Sequence, residues 1–357
     1  MRKRSVLFGV LAALVLTVLI GLGSRGFHWF DAALIGYAVG TIFVVAAVTY
    51  KYTFWIDRPP TGRYWRRSWE MFLSFANFRR YTSLVPRAII TDLFTQGFIR
   101  KRGRYRWVMH QCIFWGVIGS CAITFPLTFG WLRFTQTPAG DYRIWLVGFP
   151  FFSFPAGSAF GFLIFHALDF TAMLLLVGLV LAFHRRFHDL AVISVQRFNF
   201  DLMPLALLLA IVLTGLALTA DSAWLGGAYY SFIALTHEAV VVLWLISLPF
   251  GKFFHLIERP ATVGIKLYTQ ITRAEAMHPC ARCGTEFATE RFVGDLKKTL
   301  ADVGENYTLP ATATFAHGEA ATQSAPLWWQ DLCPRCKRVM RAQAIFMATG
   351  REGNRFL

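Results

Sequence analysis

Two kinds of side chain in this sequence are equipped to hold a metal. Five of the nine histidines, His110, His166, His184, His237 and His255, lie within or at the ends of long apolar runs. Four of the six cysteines form two C-x-x-C pairs, HPCARCG (Cys280, Cys283) and LCPRCK (Cys333, Cys336). An imidazole inside a bilayer is costly and usually marks function. On a helix of 3.6 residues per turn, 18 residues close five turns. That spacing separates His237 from His255 and also His166 from His184, and predicts one shared helix face with the two rings of each pair about 27 Å apart. Imidazoles at two matched depths are what two stacked b-type haems need, each iron taking two axial nitrogens from facing helices. The plainer reading is that they are interfacial or interhelical hydrogen-bonding histidines. Neither C-x-x-C is followed by His, so covalent c-type attachment is not indicated.

The elements that position these residues are membrane spans. The 357 residues are 55% hydrophobic and 16% charged, with 35 Phe and 12 Trp, a membrane composition. Six apolar runs are long enough to cross a hydrocarbon core of about 30 Å: Ser5–Gly23, Ala32–Tyr50, Trp107–Leu132, Gly157–Phe183, Leu202–Ala220 and Tyr230–Gly251. The first is read as an uncleaved anchor. The net charge of +16 suggests nucleic acid, but its distribution argues against that partner. Thirteen Lys/Arg lie in the loop Lys51–Arg106, three at Arg2–Arg4 and three between His184 and Asp201, while the alternate loops hold only Arg25, Arg133 and Arg143. This positive-inside pattern predicts both termini in the cytoplasm of a bacterial inner membrane, with the basic loop facing anionic lipid and a cytoplasmic partner.

The expected fold is an all-α bundle of six transmembrane helices with a small cytoplasmic zinc-ribbon or rubredoxin-like domain. Its parts are an N-terminal hairpin (1–50), a basic loop (51–106), a four-helix haem domain (107–260) and a metal-binding tail (261–357). The stretch IWLVGFPFFSFPAG is too short to cross and is expected to be re-entrant or to lie on the surface. In the tail, VGDLKKTLAD reads as a short helix and ATATFAHGEAATQSAP as a flexible loop.

On depth, His110 joins His184 and His255 at the inner level, and His166 joins His237 at the outer. Span 6, with PFGKFFH at its inner end, and span 3, RYRWVMHQCIFWGVIGS, resemble the ligand helices of the membrane gamma subunit of respiratory nitrate reductase. They also resemble the cytochrome b subunits of heterodisulfide reductase-like and sulfite-reduction-associated complexes. The likeness covers roughly residues 104–260. It implies a dihaem cytochrome b that passes electrons between quinone and a cytoplasmic oxidoreductase with iron–sulfur clusters and a molybdopterin or flavin site. Substrate chemistry would then lie on another chain, with quinone oxidoreduction at this one. Where that subunit has its second histidine on span 3, this sequence has Ser120, so the outer haem must find its second ligand elsewhere.

The expected pairs are His110 with His255 and His166 with His237; His184 is the spare, or the inner ligand in place of His110. Gly116, Gly119 and Ser120 offer room for a macrocycle or serve plain helix packing. Arg104, Arg106, Arg185, Arg186 and Lys252 face propionates or lipid headgroups. Asp169 and Glu238, both in the outer half, are candidate proton carriers for a quinone, or make interhelical hydrogen bonds. The four tail thiolates match a tetrahedral sulfur site for zinc or rubredoxin-type iron, with an iron–sulfur cluster as a third choice. The rivals are a proton- or ion-coupled transporter, which would also use intramembrane His, Asp and Glu, and a membrane scaffold with a structural zinc tail.

Overall fold

The computed structural model describes residues 2–309 and 327–348. The run ATATFAHGEAATQSAP, read above as a flexible loop, lies outside the described residues. In chain order the helices begin with α1 (Arg2–Gly23), α2 (Ile35–Ile56), α3 (Thr61–Phe72), α4 (Phe75–Tyr81), α5 (Leu84–Ala88), α6 (Gly97–Arg100) and α7 (Arg104–Thr128). Three strands follow: β1 (Leu132–Gln136), β2 (Tyr142–Leu146) and β3 (Phe149–Phe154). Then come α8 (Ala159–Phe165), α9 (Ala167–His188), α10 (Leu190–Ile193), α11 (Met203–Trp224), α12 (Tyr230–Ser247), α13 (Phe254–Glu258) and α14 (Ala261–Thr272). The tail adds β4 (Met277–Pro279), β5 (Glu286–Thr289), α15 (Glu290–Asp302) and α16 (Pro334–Ala348).

Among the described residues, six helices are long and apolar enough to cross a membrane: Arg2–Gly23, Ala32–Ile56, Arg104–Thr128, Ala167–His188, Phe198–Trp224 and Tyr230–Ser247. This is the architecture of a multi-pass membrane protein. Only a minority of the residues in each of these helices is buried within the chain. Two units emerge from the packing. One combines the described residues up to Phe54 with Ile89–Pro260; the other combines Trp55–Ala88 with the described residues from Ala261 onward. The basic loop is thus divided near Ala88, and its first half belongs with the tail.

In the first unit the core joins α2, α9, α11 and α12 through Val44, Leu175, Leu179, Leu208, Val212, Trp244 and Leu245. α7 lies tightly on α9 because both carry small residues at the crossing. A Cβ on Gly116 would lie 2.6 Å from Leu175 Cβ, and one on Gly178 2.8 Å from the Ile113 nitrogen. Gly119 meets Thr171, and the Ser120 and Thr171 hydroxyls are 2.9 Å apart. These small residues therefore serve helix packing, and the room they leave is filled by α9.

Two helices are broken where the sequence suggested continuity. α8 ends before His166, which sits at the junction with φ −103° and ψ 9°, and α9 starts afresh at Ala167. α12 ends at Ser247, close to Pro249, which cannot continue the i→i−4 ladder. His255 belongs to the separate short helix α13. The five-turn argument for one shared face therefore fails for His237 and His255, whereas His166 caps the helix that carries His184, its carbonyl accepting from the Phe170 N–H at 3.0 Å. The expectation of an all-helical chain also needs amending: residues 132–154 form an antiparallel three-stranded sheet in the order β1-β2-β3, with Leu132 opposite Leu146 and Leu146 opposite Phe149.

In the second unit the amphipathic α3 packs on α14. Tyr64 meets Tyr268 edge-on at 5.2 Å, and the Tyr268 hydroxyl donates to the buried Asp295 carboxylate at 2.9 Å. Asp295 lies on α15, which includes the predicted VGDLKKTLAD helix and is capped by the Thr289 hydroxyl.

Candidate functional site

His110 lies on the first turns of α7, just after the arginine-rich approach, and His255 on α13. Their ring centroids are 6.5 Å apart and their planes are inclined at 78°. Two imidazoles that bind one metal from opposite sides have centroids roughly 6.3 Å apart, given a metal–nitrogen bond of about 2.0 Å. His110 Nδ1 is buried without a hydrogen-bond partner among the described residues. His255 Nδ1 lies 2.5 Å from the Lys252 carbonyl. That contact requires Nδ1 to carry the proton, which leaves the Nε2 lone pair as the free donor.

The turn that carries His255 is held from two sides. Lys51 on α2 donates to the Pro249 carbonyl at 2.6 Å and lies over the Phe254 ring. Lys252 is 2.5 Å from an Asp201 carboxylate oxygen that Arg186 of α9 also reaches, at 3.1 Å. Asp201 thus ties the α9 end, the entry to α11 and the His255 turn together. Of the basic residues proposed for propionates, Arg186 and Lys252 share Asp201, and Arg185 faces Asp189 at 3.6 Å.

His184 makes a different set of contacts. Its ring stacks on His188 at 4.5 Å, and its Nδ1 lies 3.4 Å from the Tyr105 hydroxyl.

His237, half-buried on α12, faces α11. Its Nδ1 is 2.8 Å from the Thr214 hydroxyl, which itself donates to the Ala210 carbonyl at 2.7 Å. The hydroxyl proton is already committed, so His237 Nδ1–H donates and Nε2 is unprotonated. Gly215 lets the ring approach, since a Cβ there would be 3.3 Å from His237 Cε1. Thr214 and Gly215 were missed in the sequence; a Thr-Gly pair inside an apolar run facing a histidine was the available signal. His166 is exposed. Its ring stacks on Phe162 at 4.2 Å and its Nδ1 faces the Phe162 carbonyl at 2.9 Å. Among the described residues, no hydrogen bond or ring contact joins His166 to His237.

The two carboxylates expected to serve a quinone, Asp169 and Glu238, each lie against a neighbouring helix. Asp169 on α9 accepts a hydrogen bond from Thr219 on α11 at 2.8 Å. Glu238 lies against α2, where a Cβ on Gly36 would be 2.1 Å from its Oε1.

In the second unit, the four sulfurs of Cys280, Cys283, Cys333 and Cys336 lie within 4.8 Å of one another and form a group able to hold one metal ion. A tetrahedral site with metal–sulfur bonds of about 2.3 Å has sulfur–sulfur edges of roughly 3.8 Å. Cys283 and Cys333 are 3.8 Å apart. The β4–β5 hairpin brings the first pair, and the start of α16 brings the second. Backbone N–H groups of Cys333 and Cys336 point at the sulfurs of Cys280 and Cys333, at 3.2 and 3.4 Å. Hydrogen bonding from Thr285 lowers the Cys283 thiol to about 6, whereas burial pushes Cys336 up to about 12. Buried Asp331 staples the two halves: it receives His278 at 3.0 Å and Lys297 at 2.6 Å, and its carbonyl accepts from Ala281 at 3.0 Å.

No protein-family model, curated protein or solved structure matches this chain. The functional reading therefore rests on these two groups of residues.

Proposed function

We propose that the chain is a dihaem b-type cytochrome subunit, which passes electrons between membrane quinone and a cytoplasmic oxidoreductase partner bearing iron–sulfur clusters and a molybdopterin or flavin site. The observation that carries this reading is the 6.5 Å separation of the His110 and His255 rings. A b-type haem held between them supplies one-electron transfer. The chain's part is to hold the imidazoles: Lys252 fixes the His255 tautomer, and Lys51 and Asp201 fix the turn. His184, stacked on His188, fits the role of spare better than that of ligand. The second haem would be held by His237, oriented by Thr214. His166 remains the proposed partner by depth, and pairing requires its ring to leave Phe162.

The tail thiolates would hold zinc as a structural clip or rubredoxin-type iron as a relay. The face that carries them would meet the soluble partner. The cysteine geometry supports a four-sulfur site and is common to both metals. By the charge pattern, both termini lie in the cytoplasm of a bacterial inner membrane.

Reduced-minus-oxidised absorption of the purified chain tests the haem reading. Bands of reduced b haem are expected; a transporter or a scaffold would show none.

A further inference from the structure

Between α7 and α9 the chain makes a small sheet whose two ends differ in chemistry. The β1–β2 end carries Gln136, Asp141 and Arg143. From Ile144 to Leu168 no Asp, Glu, Lys or Arg occurs. The β2–β3 turn and the edge strand β3 leave large apolar side chains uncovered: Leu146, Val147, Phe152, and above all Phe149 and Phe151, which are 74% and 71% exposed. Strand β3 reads FPFFSF and, among the described residues, pairs on one side only. An exposed apolar edge of this kind demands a cover.

Two contacts fix where this turn lies. Arg25, two residues beyond the end of α1, donates to the Gly148 carbonyl at 2.5 Å and stacks on Trp29, which in turn meets Trp145. Trp131, one residue before β1, donates to the Leu19 carbonyl inside α1 at 3.1 Å. The β2–β3 turn is thus level with the Gly23 end of a membrane span. At the other end of β3 the chain enters α8, whose Phe162 and Leu163 are more than half exposed, and α8 passes into α9 through His166 alone. α9 has 22 residues, about 33 Å of helix, enough to cross the bilayer unaided. α8 and β3 therefore sit at its surface.

We propose that the β2–β3 turn, strand β3 and α8 form a lipid-embedded collar. Phe149, Phe151 and Phe162 would be seated among the acyl chains of the leaflet at the Gly23 end of α1. The occupant is lipid because the patch is continuous with the lipid-facing surface of α9 and lacks charged groups with which to orient a protein partner. Arg25, held at the turn, lies at headgroup level, where a long basic side chain keeps its charge out of the hydrocarbon.

The test uses the full chain in nanodiscs of phosphatidylethanolamine and phosphatidylglycerol, and in native membranes. The photocrosslinking variants are Phe149→p-benzoylphenylalanine and Phe151→p-benzoylphenylalanine, with Ala139→p-benzoylphenylalanine at the polar tip as the contrast. Irradiation should add the mass of one phospholipid at 149 and 151 and none at 139. A product of twice the chain's mass would assign the patch to a second copy. An adduct with another protein would assign it to a partner. Either result overturns the proposal, as does the absence of a lipid adduct at both positions or equal adducts at all three. Because the readout does not involve haem, it can fail or succeed independently of the electron-transfer reading.

Discussion

The imidazoles of His110 and His255 lie with their ring centroids 6.5 Å apart and their planes inclined at 78°, although 145 positions separate them in the chain and a short helix beyond the end of α12 carries the second. What closes the gap is the turn after α12, pinned by Lys51 to the Pro249 carbonyl and by Lys252 to Asp201. The break at Pro249 allows His255 to swing out of the α12 axis towards α7.

The first prediction concerns that pinning. Asp201→Asn should leave the haem count unchanged but raise the midpoint potential of the haem at His110 and His255, because two nearby cations lose their shared counter-charge. Redox titration of the α-band reads this directly. An unchanged potential would make Asp201 a structural tie only.

A second prediction follows from Thr214. Thr214→Val removes the acceptor for His237 Nδ1–H and frees the ring to adopt the other tautomer. Loss of such a supporting hydrogen bond to a metal-ligating histidine typically costs about 10- to 100-fold in metal affinity. Haem at His237 should be depleted on detergent washing, while haem at His110 and His255 stays. Thr214→Ser should restore it. Equal retention in Thr214→Val and the wild type would count against a ligand role for His237.

The four-sulfur site predicts one metal ion per chain by elemental analysis. Cys333→Ser should abolish it and unfold the tail, since binding and folding are one equilibrium in such sites. The haem bands should persist. Zinc would leave the tail colourless, and iron would give it visible absorption that Cys333→Ser removes. A tail that stays metal-free and folded in the wild type would contradict the site.

Tyr268 and Asp295 supply a pH-dependent contribution in the second unit. Burial, then the hydrogen bond to Asp295, raises the Tyr268 phenol above its ordinary value. The native state therefore keeps the neutral phenol. Its stabilisation is complete below about pH 10, the unfolded value, and is lost as pH rises above that towards the folded value. Tyr268→Phe should cost about 1.5–3 kcal/mol at neutral pH, the worth of a hydrogen bond to a buried charged acceptor. It should also flatten this alkaline loss, as followed by thermal melting of the full chain at several pH values.

Much of this was legible in the residues, for physical reasons. Six runs of about 20 apolar residues are long enough to cross a bilayer, and two C-x-x-C pairs supply four thiolates that can converge whatever the intervening length. The β-sheet was hidden because FPFFSF, lacking charge, reads as membrane in either conformation. Pro249 was visible, yet the 18-residue spacing assumed a continuous helix through it. The union of α3 with α14 was illegible, because some 190 residues separate Thr61–Phe72 from Ala261–Thr272 and no local pattern reports such packing. Gly116 and Gly119 can serve a cofactor or a neighbouring helix equally well, and only the position of Leu175 and Thr171 decides.

The central claim is that His110 and His255 grip one haem. Its most direct measurement is haem content per chain with the reduced-minus-oxidised spectrum, taken on the wild type, His110→Ala, His255→Ala and His237→Ala. The account predicts b-type bands from two haems in the wild type. His110→Ala and His255→Ala should each lose the same one, and His237→Ala the other. A wild-type chain without haem, or loss of different haems in His110→Ala and His255→Ala, would contradict it.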